Sequence, residues 1–547
     1  MDSQRASLTD VLVIGSGLAG LRAAQAAAAH GARVIGVGKG SGASPGIMGF
    51  NVAVNPDDSS ESHYQDLLRS GWFINNKKLA RILAEDSIAE LANLERLGMK
   101  FEKKPDGTYD AFLPIGSSHP RLVHYKALTG HKALSLIGKD CRNMGVTVEK
   151  RVMITQLLKH RDRVIGAVGI DLHDGTFVSY LAKAVVLTAG GCGAVYPITT
   201  YPKDIVGDGY AMAYRAGAEL LDMEFLQFEP CCFSYPEALA GDPIPTTMLK
   251  EGAVLRNAKG EEFLRKHGAR PEILQKDVLA RAIATEVAEG RGTMHKGVFY
   301  DVTMLPRQTV VVNHNIFYDP ALKAGIDLMQ EPAEVAPAAH TLMGGVKIDA
   351  FCNASLAGLF AAGEVSGGIH GANRIGGASG AETLTFGSRA GKYAALAALR
   401  ARSFPSAKTA ATLIDRARKG LAELTERRGS AGSAAMVSRA VQSVMGEHVG
   451  IIKNRKGLVK AAEQLADLEG RLAQLPAKSV KQVKELFQLA NMITTGRMLA
   501  AASLARTESR GVHYRSDFPA RQDKKWLKNV IVKQVDGEMR LETRDCE

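Results

Sequence analysis

Val11-Leu12-Val13-Ile14-Gly15-Ser16-Gly17-Leu18-Ala19-Gly20 is the stretch that decides the fold class. Four strand-forming apolar residues run into a glycine-rich turn, an alanine-rich segment follows over residues 21–30, and a second apolar run covers residues 32–37. Strand, glycine turn, helix and strand make a βαβ unit whose turn stands where the phosphates of a nucleotide are held. Gly15 suits the tight turn, Gly17 lets backbone approach a pyrophosphate, and Gly20 lets the helix lie close to the strand. The positive end of the helix then faces the phosphates, so binding there needs no side-chain cation.

Two more strand-to-glycine junctions lie far downstream. One is Ala184-Val185-Val186-Leu187-Thr188-Ala189-Gly190-Gly191, the other Gly358-Leu359-Phe360-Ala361-Ala362-Gly363-Glu364. Both look like strands ending where backbone must approach a ligand. Three such junctions imply one nucleotide-binding domain interrupted by an insertion. The acid that would accept from an adenosine ribose at the end of the second strand is missing, since Gly38 stands there. With Arg33 and Lys39 close by, the first motif alone also fits a 2′-phosphorylated dinucleotide; the third junction argues against it.

The chain has 547 residues, 46% hydrophobic and 23% charged, enough for two to four domains of ordinary globular type. No run of about 18 uncharged apolar residues appears, and the opening MDSQRASLTD lacks the layout of a secretory leader. The expected location is the cytoplasm, with peripheral association at the inner face of a membrane left open. Six cysteines show neither a C-x-x-C pair nor ferredoxin-like spacing, so no iron–sulfur cluster or metal site is expected in this chain. The formal charge of +12 gathers late in helical-looking sequence without a nucleic-acid motif, and no nucleic-acid partner is expected.

Between residues 222 and 335 short β-like pieces (252–257, 297–302) surround a helical stretch over 277–289. Residues 409–510 are rich in Ala, Leu, Lys, Glu and Gln and suit a helical bundle.

Several separate motifs resemble the flavoprotein family of succinate dehydrogenase, fumarate reductase and L-aspartate oxidase. They are Val335-x-Pro337-Ala338-Ala339-His340-x-x-Met343-Gly344-Gly345, Leu359-Phe360-Ala361-Ala362-Gly363-Glu364 and His370-Gly371-Ala372-Asn373-Arg374. Gly207-Asp208-Gly209, Asp222-Met223-Glu224-Phe225-x-Gln227-Phe228 and Thr507-Glu508-Ser509-Arg510-Gly511-x-His513-Tyr514-Arg515 follow the same family order.

The resemblance implies an α/β fold with a Rossmann-like FAD-binding domain (1–221 and 336–400) split by an α+β capping domain (222–335). A helical domain (401–510) and a C-terminal tail (511–547) complete it. The implied cofactor residues are Gly15, Gly17, Leu18, Ala19, Gly20, Lys39, Gly40, Ser44, Gly46, Ile47, Ala189, Gly190, Gly191, Asp208, Glu364 and Ser379. Glu364 would accept from FAD hydroxyls. Some members tether FAD through a histidine after the second strand; residues 39–49 contain none, so non-covalent FAD is expected.

His340 and Arg374 stand where the family binds a substrate carboxylate. Two departures matter. Phe228-Glu229-Pro230-Cys231 puts an acid where a second histidine is expected, and Met248-Leu249-Lys250-Glu251-Gly252 puts leucine where the proton-shuttling arginine is expected. Glu229 and the neighbouring Lys250 are therefore the candidates for acid–base work, beside His340 and Arg374. The vicinal Cys231-Cys232 pair and the Ser118-His119-Pro120-Arg121-Leu122-Val123-His124 segment are placed near the same cleft. The resulting expectation is an FAD-dependent dehydrogenase or reductase of a small carboxylate-like substrate, outside standard fumarate chemistry, passing electrons to an iron–sulfur partner, a quinone pool or oxygen. The alternatives are an amino-acid oxidase and an FAD-carrying electron-transfer subunit with no substrate of its own.

Overall fold

The computed structural model describes residues 4–268, 275–401, 403–404, 406–427 and 433–547. Residues 1–3 of the opening segment, and parts of the ranges 222–335 and 401–510, lie outside the described residues.

A seven-stranded sheet forms the frame, and its centre is the strand Gln4–Ile14. On one side it pairs in parallel with Val34–Gly38, which pairs in turn with Thr147–Lys150. On the other side it pairs in parallel with Phe177–Leu187, followed by the antiparallel strands Arg163–Asp171 and Val152–His160. Leu359–Ala361 adds in parallel to the far end of Phe177–Leu187. The register aligns Ile14 with Val37 and Leu187, and Leu187 with Ala361. The three glycine junctions therefore meet at one carboxyl edge, where open α/β sheets bind their ligands.

The helix after the first strand runs Leu18–Ala29, three residues earlier than the alanine-rich stretch alone indicates, because Gly17 in extended backbone serves as its N-cap. It packs against the helix Ala378–Arg400 through small residues. A Cβ on Gly391 would stand 2.1 Å from the carbonyl oxygen of Ala23, so only glycine permits that approach.

The inserted lobe holds a four-stranded antiparallel sheet ordered Leu226–Phe233, Ala333–Leu342, Val298–Asp301 and Val254–Arg256. It has its own apolar core, including Phe233, Leu255, Ile283 and Tyr300. The helix Lys276–Ala288 packs on this sheet. Later, the helices Ala434–His448, Arg455–Leu472 and Val480–Ala505 start at Ser433, Asn454 and Ser479, whose side chains accept from backbone N–H groups of the first turn.

The C-terminal hairpin Lys528–Val535 and Glu538–Asp545 pairs with Leu220–Leu221, just before the lobe begins. The fully buried Arg506 fixes this junction. It donates to Glu224 Oε1 at 2.6 Å and to the carbonyls of Trp526 and Lys528 at 3.0 and 2.8 Å, and lies 4.8 Å from the Phe225 ring centroid. Glu224 leads directly into the strand that carries Glu229.

Candidate active site

At the carboxyl edge of the large sheet, Gly15 has φ +125°, and a Cβ there would stand 2.1 Å from the carbonyl oxygen of Thr188. A Cβ on Gly20 would stand 1.9 Å from the carbonyl oxygen of Gly15. These are the two close approaches the motif requires. The helices beginning at Leu18 and Ala378 both lack a side-chain N-cap, although Ser44 Oγ accepts from the Leu18 N–H at 2.9 Å. Their free first-turn donors suit an anion or a polar ring edge. Ser379 Oγ is buried without a hydrogen-bond partner. Ser44 and Gly46 form a short turn, and the Ile47 carbonyl accepts from the Gly130 N–H at 2.9 Å. Ala189, Gly190 and Gly191 border the same edge, with Gly190 at φ +75°.

Lys39 and Asp208 meet directly, with Nζ 2.6 Å from Oδ2, and Lys39 also donates to the Asp204 carbonyl at 2.7 Å. Arg33 Nε lies 3.5 Å from Asp10 Oδ2. Both cations that could have read a 2′-phosphate thus already face carboxylates. Gly38 is packed against Ser16, since a Cβ would fall 2.3 Å from Ser16 Oγ, so no acid fits at that position. The Gly40 carbonyl accepts from Ser16 Oγ at 2.9 Å.

Glu364 is placed between the cofactor edge and the lobe. Its Oε2 accepts from the Tyr201 hydroxyl at 2.6 Å and its Oε1 from the Leu342 N–H at 3.0 Å. Burial pushes its carboxyl up to about 7, although these two donors favour the charged form. Two residues before Leu342 on the same strand, His340 Nδ1 is 2.9 Å from Thr200 Oγ1, and its ring centroid is 6.5 Å from that of Tyr201. The lobe's strand therefore reaches the third glycine junction directly.

Glu229 faces His340 across the paired strands, with Oε2 3.9 Å from His340 Nε2. Lys276, at the start of the lobe's helix, donates from Nζ to the same Oε2. Burial raises the Glu229 carboxyl, but Lys276, His340 and Arg374 together outweigh it and hold the group below the usual carboxylate range. His340 is pushed down to about 3 by burial and by the Arg374 charge. Its side chain keeps 30% of its surface toward the cleft; the direction of that shift, toward a neutral ring at physiological pH, is what bears on chemistry. Arg374 is buried and clamped by Gln227. Its Nε donates to Gln227 Oε1 at 3.2 Å, while Gln227 Nε2 donates to Asn373 Oδ1 at 2.7 Å and to the Arg374 carbonyl at 3.1 Å.

His340, Arg374 and Glu229 are thus brought together, and Lys250 is not among them. The turn Thr246–Lys250 buries Leu249 and leaves Lys250 exposed. The cation at Glu229 is Lys276, a residue that the sequence alone did not single out. Its only local signal is a lysine immediately before the expected helical stretch 277–289; the observed helix begins at Lys276 itself. Cys231 and Cys232 are free and buried, and burial holds both thiols far above the usual range, so neither supplies a thiolate. Arg121 is fully buried, with Nε 2.6 Å from Asp58 Oδ2 and Nη1 2.5 Å from Asp66 Oδ2, while His124 stacks on Phe112 at 4.4 Å.

Comparison with known proteins decides the lineage. A family model described as an FAD binding domain matches residues 10–379, and one described as the fumarate reductase flavoprotein C-terminal domain matches residues 438–547. This chain belongs to the succinate dehydrogenase/fumarate reductase flavoprotein family. Like other members of this flavoprotein family, it is an FAD-dependent oxidoreductase with the α/β fold expected from its sequence. It is 36% identical over 535 residues to one of the subunits of the fumarate reductase (CoM/CoB) of Methanothermobacter marburgensis, covering 96% of each chain. It is 31% identical over 541 residues to the L-aspartate oxidase of Yersinia pestis, covering 95% of this chain and 98% of that one. Among solved structures, E. coli quinol fumarate reductase superposes with a TM-score of 0.93 at 27% identity, covering 99% of this chain and 97% of that one. Mycobacterium smegmatis Sdh1 superposes with a TM-score of 0.91 at 31% identity, covering 99% and 95%. Among the described residues, no helix of this flavoprotein is long and apolar enough to cross a membrane. The residues at the carboxyl edge fit FAD: two glycines that exclude any Cβ, two helix N-termini without side-chain caps, and the orphaned Ser379 hydroxyl.

Proposed function

We propose that this flavoprotein interconverts a carbon–carbon single and double bond next to a carboxylate, using Arg374 and His340 to hold the substrate and the Lys276–Glu229 pair to move the proton. The observation that carries this reading is the convergence of these four side chains beside Glu364, with Lys276 and Glu229 in contact and His340 3.9 Å from the same oxygen. Bound FAD, held by Gly15, Gly17, Gly20, Gly191, Glu364, Ser379 and their neighbours, supplies two-electron exchange of hydride.

Arg374, fixed by Gln227, presents a planar cation to the substrate carboxylate. Neutral His340 offers a hydrogen bond from Nε2 while Thr200 holds Nδ1. In the reducing direction, one hydride and one proton add across the double bond. The Lys276 ammonium donates the proton at carbon, and the Glu229 carboxylate, already its hydrogen-bond acceptor, stabilises that cation and connects it to His340. The lobe closing on the sheet edge excludes water from this transfer.

FAD is held non-covalently in this reading, because residues 39–49 contain no histidine to tether it; acid precipitation should release all the flavin. Electrons are exchanged with an iron–sulfur partner protein, in peripheral association with a membrane, which is consistent with the Methanothermobacter relative being named as one part of a multi-chain reductase.

The test is anaerobic stopped-flow mixing of dithionite-reduced protein with a panel of enoates and enoyl thioesters. Rapid flavin reoxidation by an enoate, lost in Arg374→Ala with FAD retained and slowed in Lys276→Met, supports the assignment. Reoxidation by a co-purified redox partner and by no enoate would leave an electron-transfer role instead.

A further inference from the structure

Building on the reading just given, we infer that the site takes a substrate with one carboxylate and an uncharged far end, and that Glu229 enforces this choice. The charges facing the recess lead there. Among the described residues, two cations face it, Arg374 and Lys276. Lys276 is committed to Glu229, and both of those side chains are almost buried, at 15% and 10% exposure. His340 carries no charge at neutral pH, and Glu364 adds only an acidic group. Among the described residues the recess therefore offers one uncompensated cation, enough for one carboxylate.

A second carboxylate on the substrate meets two obstacles. Sitting beside Glu229 sets two like charges together where water is scarce, and like charges at short range in a low dielectric repel strongly. Drawing Lys276 away leaves Glu229 buried without its cation, which is equally unfavourable. The residue after Glu229 is Pro230, which has no N–H to offer an anion there. An ester, amide or thioester at the far end avoids both costs and can accept a hydrogen bond from Lys276.

The experiment compares ligands that differ by one charge. Oxidised FAD-loaded protein is titrated with succinate and with monomethyl succinate, read by flavin difference absorbance and calorimetry. The reduced protein is mixed in parallel with fumarate and monomethyl fumarate. The monoester should bind at least tenfold more tightly, about 1.4 kcal/mol. Glu229→Gln should shrink that ratio at least tenfold by tightening the dianion, and Glu229→Asp should keep the monoester preference. Should Glu229→Gln lose FAD, Lys276→Gln gives an independent reading, because it should weaken succinate more than the monoester. Equal or tighter succinate binding in the unmodified protein, or a ratio unmoved by Glu229→Gln, overturns the inference. If fumarate then reoxidises the flavin, the proposed reaction survives that outcome. If neither ligand binds and neither enoate reoxidises the flavin, the reaction assignment and the inference fall together.

Discussion

A Cβ placed on Gly191 would stand 2.2 Å from Oε1 of Glu364, although the two residues end different strands and are far apart in sequence. The second glycine junction thus exists in the form it does so that the carboxylate of the third can occupy the sheet edge. Position 191 and the charge at position 364 are one structural unit.

Gly191→Ala should therefore displace Glu364 and weaken FAD retention by at least tenfold, roughly 1.4 kcal/mol. The ratio of flavin to protein absorbance after gel filtration checks this. Retention equal to that of the unaltered protein would show that Glu364 does not help hold the cofactor.

Glu364 also predicts a pH dependence. Its folded pKa is raised, from 4.5 to about 7, so its contribution is fully present below about pH 4.5 and is lost as pH rises through 7, a change of roughly 3 kcal/mol. Tyr201→Phe removes a donor to the charged form and should move this loss to higher pH. Thermal melts of FAD-free protein between pH 5 and 9 would show it, with Glu364→Gln abolishing the slope.

Arg121 carries a purely structural prediction. Its guanidinium is fully buried between Asp58 and Asp66; against burial it holds the Asp58 carboxyl below the usual range, and at Asp66 it adds to the Ser118 hydroxyl and N–H, which do the same. Arg121→Met leaves the buried Asp58 without its guanidinium and leaves Asp66 to Arg69 and Ser118, and should cost about 3 kcal/mol. Urea unfolding measures it. In the unaltered protein the stability from these depressed acids is present above about pH 4 and is lost as pH falls through their folded values.

Lys276→Met should lower kcat/KM for an enoate by roughly 10²–10⁴, the usual range for losing a positioned proton donor. It also removes the strongest force keeping Glu229 ionised, so that carboxyl should move upward and add a new limb to the pH–rate profile. In the unaltered protein, with His340 near 3 and Glu229 depressed, neither group should bend the profile between pH 5 and 8. A bend there that persists in Glu364→Gln, whose own carboxyl is the one raised to about 7, would count against the assigned protonation states.

What could be read from the sequence was what backbone geometry makes compulsory. Gly15, Gly20 and Gly191 occupy positions where any side chain collides with a neighbour, and such positions leave a visible mark in the chain. Contacts between distant side chains leave none. Lys250 drew attention because it adjoins Leu249, but the turn there points the leucine inward and the lysine outward. Lys276 lies 47 residues from Glu229 and reaches it only through the packing of a helix on a sheet. The cationic look of Arg33 and Lys39 dissolves in the same way, because Asp10 and Asp208 answer them from other elements.

The pairing of Leu220–Leu221 with the strand Lys528–Val535 has a consequence for the order of events during synthesis. The segment that leads into the lobe is made roughly three hundred residues before the strand that completes its sheet, and Arg506, which ties the two together, also emerges late. Such long-range pairing is slow and leaves partly built edges exposed while the chain is short. The nascent chain can finish the glycine turn and the first helix early, yet the junction at Leu220–Leu221 stays unfastened until the hairpin arrives. Flavin loading should accordingly be a post-translational event, and chaperone dependence should track the last fifty residues more than the first two hundred.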